Sequence, residues 1–315
     1  MTAATASPQF PDLRDRLLYS PIYDRPRVTW PNKARVAIWI APNVEHYELV
    51  PQAQKLVLFY RVPAPDPQQY SIRDYGNRAA FGRLAHLLDE FGHRATVSLN
   101  AGVLDHFPQI AEAMISRNWD FMGHGVYNTR NVCGFTEEEE YEELRLMCDI
   151  VKKHTGKPLK GVLGPALTSN IWTPDVIADL GLLYHADWIH DEQPTPIRVR
   201  KGRLISLPYA YELGDLNPMN FDLEALMGCW RAQFECLWRE GEHSGRTMCL
   251  ALHPYVIAQP HAIAYLREFL TYISKREGVW MTTAGDIAQY YMDNHYDAEV
   301  AYATALEQRK SEETA

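Results

Sequence analysis

RVAIWIAPNVEHYEL, residues 35–49, sets the strand-like run RVAIWIA directly against Asn43, Glu45 and His46. The run is short, apolar and rich in β-branched and aromatic residues, which reads as a buried strand. A core strand that ends abruptly in three polar side chains is either a loop leaving the interior or the first edge of a site. Parallel α/β architectures place functional residues just past the C-terminal ends of their strands, so the fold and the site are one question here.

The rest of the chain supplies the pattern that such a strand needs. RATVSLN (94–100), WDFMGHG (119–125), LKGVLGP (159–165), LLYHADW (182–188), RLISLPYA (203–210), TMCLALHP (247–254) and VWMTT (279–283) read as further strands. Between most of them lie helical segments. NRAAFGRLAHLLDEFG (77–92) stops on Gly92, and TEEEEYEELRLMCDIVKKHTG (136–156) opens on Thr136 with Glu139 three residues on, a capping-box spacing. Repeated βα units argue for a parallel sheet. No glycine-rich phosphate loop follows any strand, which favours a barrel-like enzyme over a nucleotide-binding fold. VLFYRVPAPDPQQYSIRDYG (57–76) lacks clear periodicity and is expected to be a long lid or binding loop.

Composition bounds the function. The 315 residues carry 31 Lys plus Arg against 40 Asp plus Glu, a formal net charge of −9, with no basic run that would suit a nucleic-acid partner. No apolar stretch approaches the ~20 residues of a membrane span. The opening MTAATASPQFPDLRDRL lacks the basic start and apolar core of a secretory signal, so a cytoplasmic location is expected. Five cysteines, odd in number and without a CxxC pair, read as reduced thiols. Cys133 gains no role from its neighbours.

Polar residues collect at the expected strand ends. Asn43, Glu45 and His46 are followed by His124, Tyr127 and Asn128, then by Thr168, Ser169 and Asn170. Asp187, Trp188, Asp191 and Glu192 form the next group, then Tyr209, Glu212 and Asp215, and finally His253 before Pro254. A residue before proline is held extended, and a histidine on an apolar strand needs a polar partner. Glu137–Glu140 reads instead as a solvated first helical turn at the favourable end of the dipole. His86, His106, His154, His243, His261 and His295 sit on helices or loops and take no role.

Together these motifs resemble the polysaccharide-deacetylase superfamily over about residues 30 to 290. The resemblance implies a distorted (β/α) barrel of about seven parallel strands. In the metal-dependent branch the first strand ends in two acidic residues, a general base and then a metal ligand. A later strand end gives His-x-x-x-His, a third motif an Arg, and a late strand Leu-x-x-His with a general-acid His. Here NVEH (43–46), HGVYN (124–128) and LALH (250–253) occupy the first, second and last motifs. Three places depart from the pattern: His46 stands for the ligand Asp, Asn128 for the second ligand His, and VLGPALTSN (162–170) has no Arg. A metal, if bound, would rest on His46 and His124 with Glu45 or Asn128, and Glu45 as ligand would be lost as base.

Longer segments are similar to another branch, the metal-independent allantoinases and cyclic imide hydrolases. These are RDYGNRAAFGRL (73–84), DWIHDEQP (187–194), LPYAYELGD (207–215) and the Pro-rich arm leading into VTWPNKARVAIWI (28–40). On that reading the protein is a hydrolase that opens a C–N bond of a small cyclic amide, imide or ureide, with no cofactor expected and Zn²⁺ or another divalent ion as the open alternative. Glu45 is then the base, with a raised pKa if the barrel mouth is apolar, and His253 the acid, oriented by Asp187. His46, His124 and Asn128 steady the oxyanion. Trp188 walls the pocket; Arg73, Tyr75 and Arg78 bind carbonyls or brace the lid; Asn43 and Glu212 complete the substrate-side set.

Two other functions stay open: a metal-dependent deacetylase of an N-acetyl sugar or related amide, and a barrel that binds a ligand without turning it over. The expected organisation is an arm (1–34), one catalytic barrel (35–295) and a tail (296–315) that is helical or frayed. The resemblance suggests a homodimer or homotetramer acting on a small molecule, without nucleic-acid or membrane partners.

Overall fold

The computed structural model describes residues 10, 13–51, 62–216 and 222–314. Its centre is β1 (Val36–Val44), buried at all nine positions. Eight more strands follow: β2 (Thr96–Leu99), β3 (Asp120–Gly123), β4 (Gly161–Val162), β5 (Tyr184–His185), β6 (Thr195–Ile197), β7 (Leu204–Ser206), β8 (Arg246–Leu252) and β9 (Val279–Thr282). They form one curled sheet in the order β6-β7-β5-β4-β3-β2-β1-β8, with β9 added beside β1. All pairings are parallel except β6 with β7. This is the distorted (β/α) barrel expected, with one strand beyond the expectation. β6 arises from QPTPI, where two polar residues and two prolines hide the strand signal; Pro196 within it is tolerated because β6 is an edge.

β1 is buried on both faces, and its side chains divide by parity. Val36, Ile38 and Ile40 join one core cluster, against Leu84, Leu88, Val97, Phe121 and Leu250. Ala37, Trp39 and Ala41 join the other, with Tyr184, Ile205, Leu207, Tyr209, Cys249 and Ala251. Successive strand residues point to opposite faces, so the set 37, 39, 41 continues upward to 43 and 45. The same alternation on β8 carries Cys249 and Ala251 on to His253. Two neighbouring strands therefore aim Asn43, Glu45 and His253 at one spot.

The stretch from 57 to 76 differs from the expected loop: residues 57–61 lie outside the described residues, and Pro67–Tyr75 is a helix. Proline at its first turn and Asp66 as N-cap, accepting from Gln69 N at 3.2 Å, start it. Its polar face hid the helical period. A π-helical turn, Gly76–Ala80, joins it to the helix Phe81–Phe91, and such turns recur at functional sites.

Both chain ends pack on the barrel. Arg16, fully buried, pairs with Asp175 at 2.6 Å, and Leu17 bridges to Ile197. The tail is a continuous helix, Tyr296–Thr314, with Ala303 buried and Glu299 bonded to Ser20. Among the described residues no helix is long and apolar enough to cross a membrane, and all five cysteines are free.

Candidate active site

Where β1 and β8 end lies a cavity of about 340 Å³. Glu45, Asn43, His124, Asn128, Arg73 and His253 line it, as does Tyr47, all of them buried. Glu45 is its centre: Oε1 lies 3.6 Å from His124 Nε2 and 3.8 Å from His253 Nε2. Tyr255 donates its hydroxyl to Oε2 at 3.2 Å. The Arg73 guanidinium lies 4.8 Å from the Tyr47 ring centre and 5.7 Å from that of Tyr255. Asn77, delivered by the π-helical turn, donates to the Glu45 carbonyl at 2.7 Å and so ties the first motif to the second helix.

Each imidazole is fixed from behind. His124 Nδ1 donates to the Leu163 carbonyl at 2.7 Å, which leaves Nε2 as the atom shown to the cavity. Asp215 grips His253 twice, accepting from its backbone N–H and from ring Nδ1–H, each at 2.7 Å. Pro254 holds His253 extended, at φ −113° and ψ 118°, and its N–H is therefore free to point at Asp215.

The electrostatics follow from these contacts. Burial alone would raise the Glu45 carboxyl, but the nearby His124, His253 and Arg73 outweigh it, and the pKa is lowered. The sequence reading expected a rise because it weighed only the apolar surroundings. For His253 the balance is reversed. Burial opposes its charge, while the Asp215 carboxylate, and then Glu45, favour it, so its pKa is raised. The surroundings thus favour Glu45 as carboxylate and His253 as imidazolium.

Several expected site residues sit elsewhere. His46 has the opposite parity to Glu45, so its ring leaves the cavity and packs on His106 at 4.3 Å between centroids, beside Phe107 and Tyr127. Burial, then the nearby His106, pushes its pKa down to about 4. Asp187 does not orient His253. It accepts from Gly164 N at 2.7 Å and from Ser169 Oγ at 2.6 Å, and lies 2.9 Å from His185 Nε2. His185 in turn accepts from Trp188 Nε1 at 3.0 Å, which leaves Trp188 out of the cavity lining. Glu212 is exposed, near Gln233, and Arg78 is exposed and paired with Asp74. Tyr75 lies under Arg83 and outside the lining. Asn43 reaches the cavity but spends its amide on Tyr209 Oη and the Leu252 carbonyl, bracing β1 against β8.

Because the His46 ring is outside, His46→Ala is expected to keep kcat within about twofold of wild type, since only groups that meet the reacting atoms alter the barrier. The same variant should lose about 1 kcal/mol of stability from the broken ring stack. Steady-state kinetics with thermal unfolding checks both; a tenfold loss of kcat would return His46 to the substrate.

The donor set was tested against a catalytic divalent ion. Zn²⁺ needs three or more N, O or S ligands with the imidazoles unprotonated. His46 points away, and Asn128, whose Nδ2 donates to Tyr47, offers only a neutral amide oxygen, buried and without a hydrogen-bond partner. Asp215 favours the protonated form of His253, which opposes ligation through its Nε2. Among the described residues no group of three His, Cys, Asp or Glu has metal-holding geometry. The residues present do not fit such an ion.

Residues 62–185 match the family model for polysaccharide deacetylase, the superfamily that the motifs resemble. The chain is 24% identical over 298 residues to a Schizosaccharomyces pombe protein named for polysaccharide deacetylase, covering 84% of this chain and 93% of that one. Identity to a Helicobacter pylori peptidoglycan deacetylase is 21% over 262 residues, 72% of this chain and 88% of that one. The crystal structure of PuuE allantoinase shares the fold, with a TM-score of 0.77 and 22% identity over 86% of this chain and 95% of that one.

Proposed function

We propose that this protein hydrolyses a C–N bond of a small cyclic amide, imide or ureide without a resident metal. The observation that carries the reading is the buried Glu45 carboxyl 3.8 Å from His253 Nε2, with Asp215 bonded to the far ring nitrogen of His253; these surroundings lower the Glu45 pKa and raise that of His253. That favours a base and an acid in their reactive states, in a cavity sized for one ring.

Glu45 takes a proton from water as the water oxygen adds to the ring carbonyl carbon. The oxyanion that forms meets the Arg73 guanidinium, with His124 beside it. The C–N bond then breaks, its electron pair stays on nitrogen, and His253 Nε2–H protonates that nitrogen. One water is added across the bond, and the product is a single opened chain ending in a carboxyl group. Imides and ureides suit this chemistry because their nitrogen leaves more readily than that of an ordinary amide.

A second reading, a deacetylase of a linear acetamide, is favoured by the names of the relatives. The donor set opposes its metal-dependent form. The deciding experiment measures ring opening on a panel of cyclic imides, hydantoins, dihydropyrimidines and allantoin, together with N-acetylglucosamine oligomers, before and after chelation. Undiminished ring opening by chelator-treated protein is expected. Activity on the oligomers alone, lost on chelation and restored by Zn²⁺, would overturn the proposal.

A further inference from the structure

The cavity is polar at its floor and apolar along one side. Leu163, Ala166 and Leu167 form that side, with Tyr211 and Leu216 at the mouth. Ala166 and Leu167 both take left-handed backbone conformations, φ 56° and 54°, which side chains bearing a Cβ seldom adopt. Glycine or asparagine would sit there with less strain. Two apolar side chains in that conformation, facing a cavity, point to a use for the side chains themselves.

The loop that carries them is pinned. Asp187 accepts from Gly164 N at 2.7 Å and from Ser169 Oγ at 2.6 Å, and so holds the loop at both ends. Leu167 N donates to the Gly164 carbonyl at 2.8 Å, and Thr168 Oγ1 to the Pro165 carbonyl at 2.8 Å. A Cβ on Gly164 would come within 2.6 Å of the Thr168 oxygen and 2.9 Å of Asp187 Oδ2, so the turn closes only on glycine. The Asp187 cluster, which contributes nothing to His253, fixes this wall.

We propose that the Leu163–Ala166–Leu167 wall selects a ring that bears an apolar substituent over a bare or hydroxyl-rich ring. The inference rests on the hydrolase reading and adds the substrate class to it. The polar floor engages the amide, and the substituent lies along the wall, where its burial displaces water. A hydroxyl there would lose its hydrogen bonds to solvent and find only Leu and Ala side chains.

The test compares succinimide with 2-propylsuccinimide on the wild type and on Leu167→Asn. Asparagine tolerates the left-handed conformation, so the backbone is kept while the wall becomes polar. Wild type is expected to favour the propyl compound in kcat/KM by about tenfold or more, a usual return for a buried alkyl group, and the variant by less than about threefold. Calorimetric binding of both compounds to Glu45→Gln protein, with and without Leu167→Asn, provides a readout free of turnover. Equal kcat/KM for the two compounds on wild type, or an unchanged preference in the variant, would overturn the wall. Preferential binding of the propyl compound without turnover by wild type would keep the wall and overturn the hydrolase reading. Neither binding nor turnover would overturn both.

Discussion

Glu45→Gln lowers kcat by about 10²–10⁴-fold and leaves the fold intact, the range expected when a positioned general base is removed. Gln keeps the shape of the side chain, and its amide oxygen still accepts from the Tyr255 hydroxyl. What it loses is the lone pair that takes the proton from water. The acid limb of the wild-type pH profile belongs to the same group. Since His124, His253 and Arg73 hold the carboxyl below its ordinary value of 4.5, kcat/KM should begin to fall only below that pH. Steady-state kinetics on the best substrate of the panel, with a thermal melt of the variant, tests both points. A variant within about fivefold of wild type, or an acid limb well above 4.5, would remove Glu45 as the base.

Much of this was legible from residues 35–49 because parity is a property of sequence. Once RVAIWIA is a strand buried on both faces, Trp39, Ala41, Asn43 and Glu45 must share a face, and His46 must face away. The motif reading took Glu45 and His46 as a pair by analogy with a two-carboxylate motif and so missed what alternation dictates. Its expectation of a raised Glu45 pKa failed for a related reason: burial is visible in an apolar pattern, whereas the groups that oppose burial, Arg73, His124 and His253, come from 28, 79 and 208 positions away. His253 was found because a histidine before proline on an apolar strand is a local oddity. Its partner was not. Asp187 and Asp215 both lie at strand ends, and nothing local says which one meets His253. That depends on where the loop after β7 returns to β8, seen in the bond from Asp215 N to the Ala251 carbonyl. Tyr255 and Asn77 lie on helical turns, where no strand end marks them as cavity groups. The π-helical turn that aims Asn77 leaves no periodic trace.

Asp215→Asn is the sharper test of that partnership, because it changes pH dependence as well as rate. The native carboxylate accepts two hydrogen bonds, from the His253 backbone N–H and from ring Nδ1–H. Asparagine has one acceptor oxygen, so one donor loses its partner or the ring nitrogen must accept instead. Either way the negative charge that sustains the imidazolium is gone, while the burial that opposes it stays. In the wild type the Asp215 carboxylate outweighs burial and the His253 pKa stands above its ordinary 6.5. In the variant that pKa falls, the alkaline limb moves to lower pH, and the loss is larger at pH 8 than at pH 6. A general acid contributes about 10²–10⁴-fold, so a loss of about 10²-fold or more at pH 8 is expected. Stability should fall by about 1–3 kcal/mol for the unpaired buried donor. That stability loss alone cannot displace the limb, since a purely structural role would lower kcat by one factor at every pH. Full pH profiles of kcat/KM for both proteins separate the cases. A uniform loss with the alkaline limb in place would make Asp215 a brace and leave the charge on His253 unexplained.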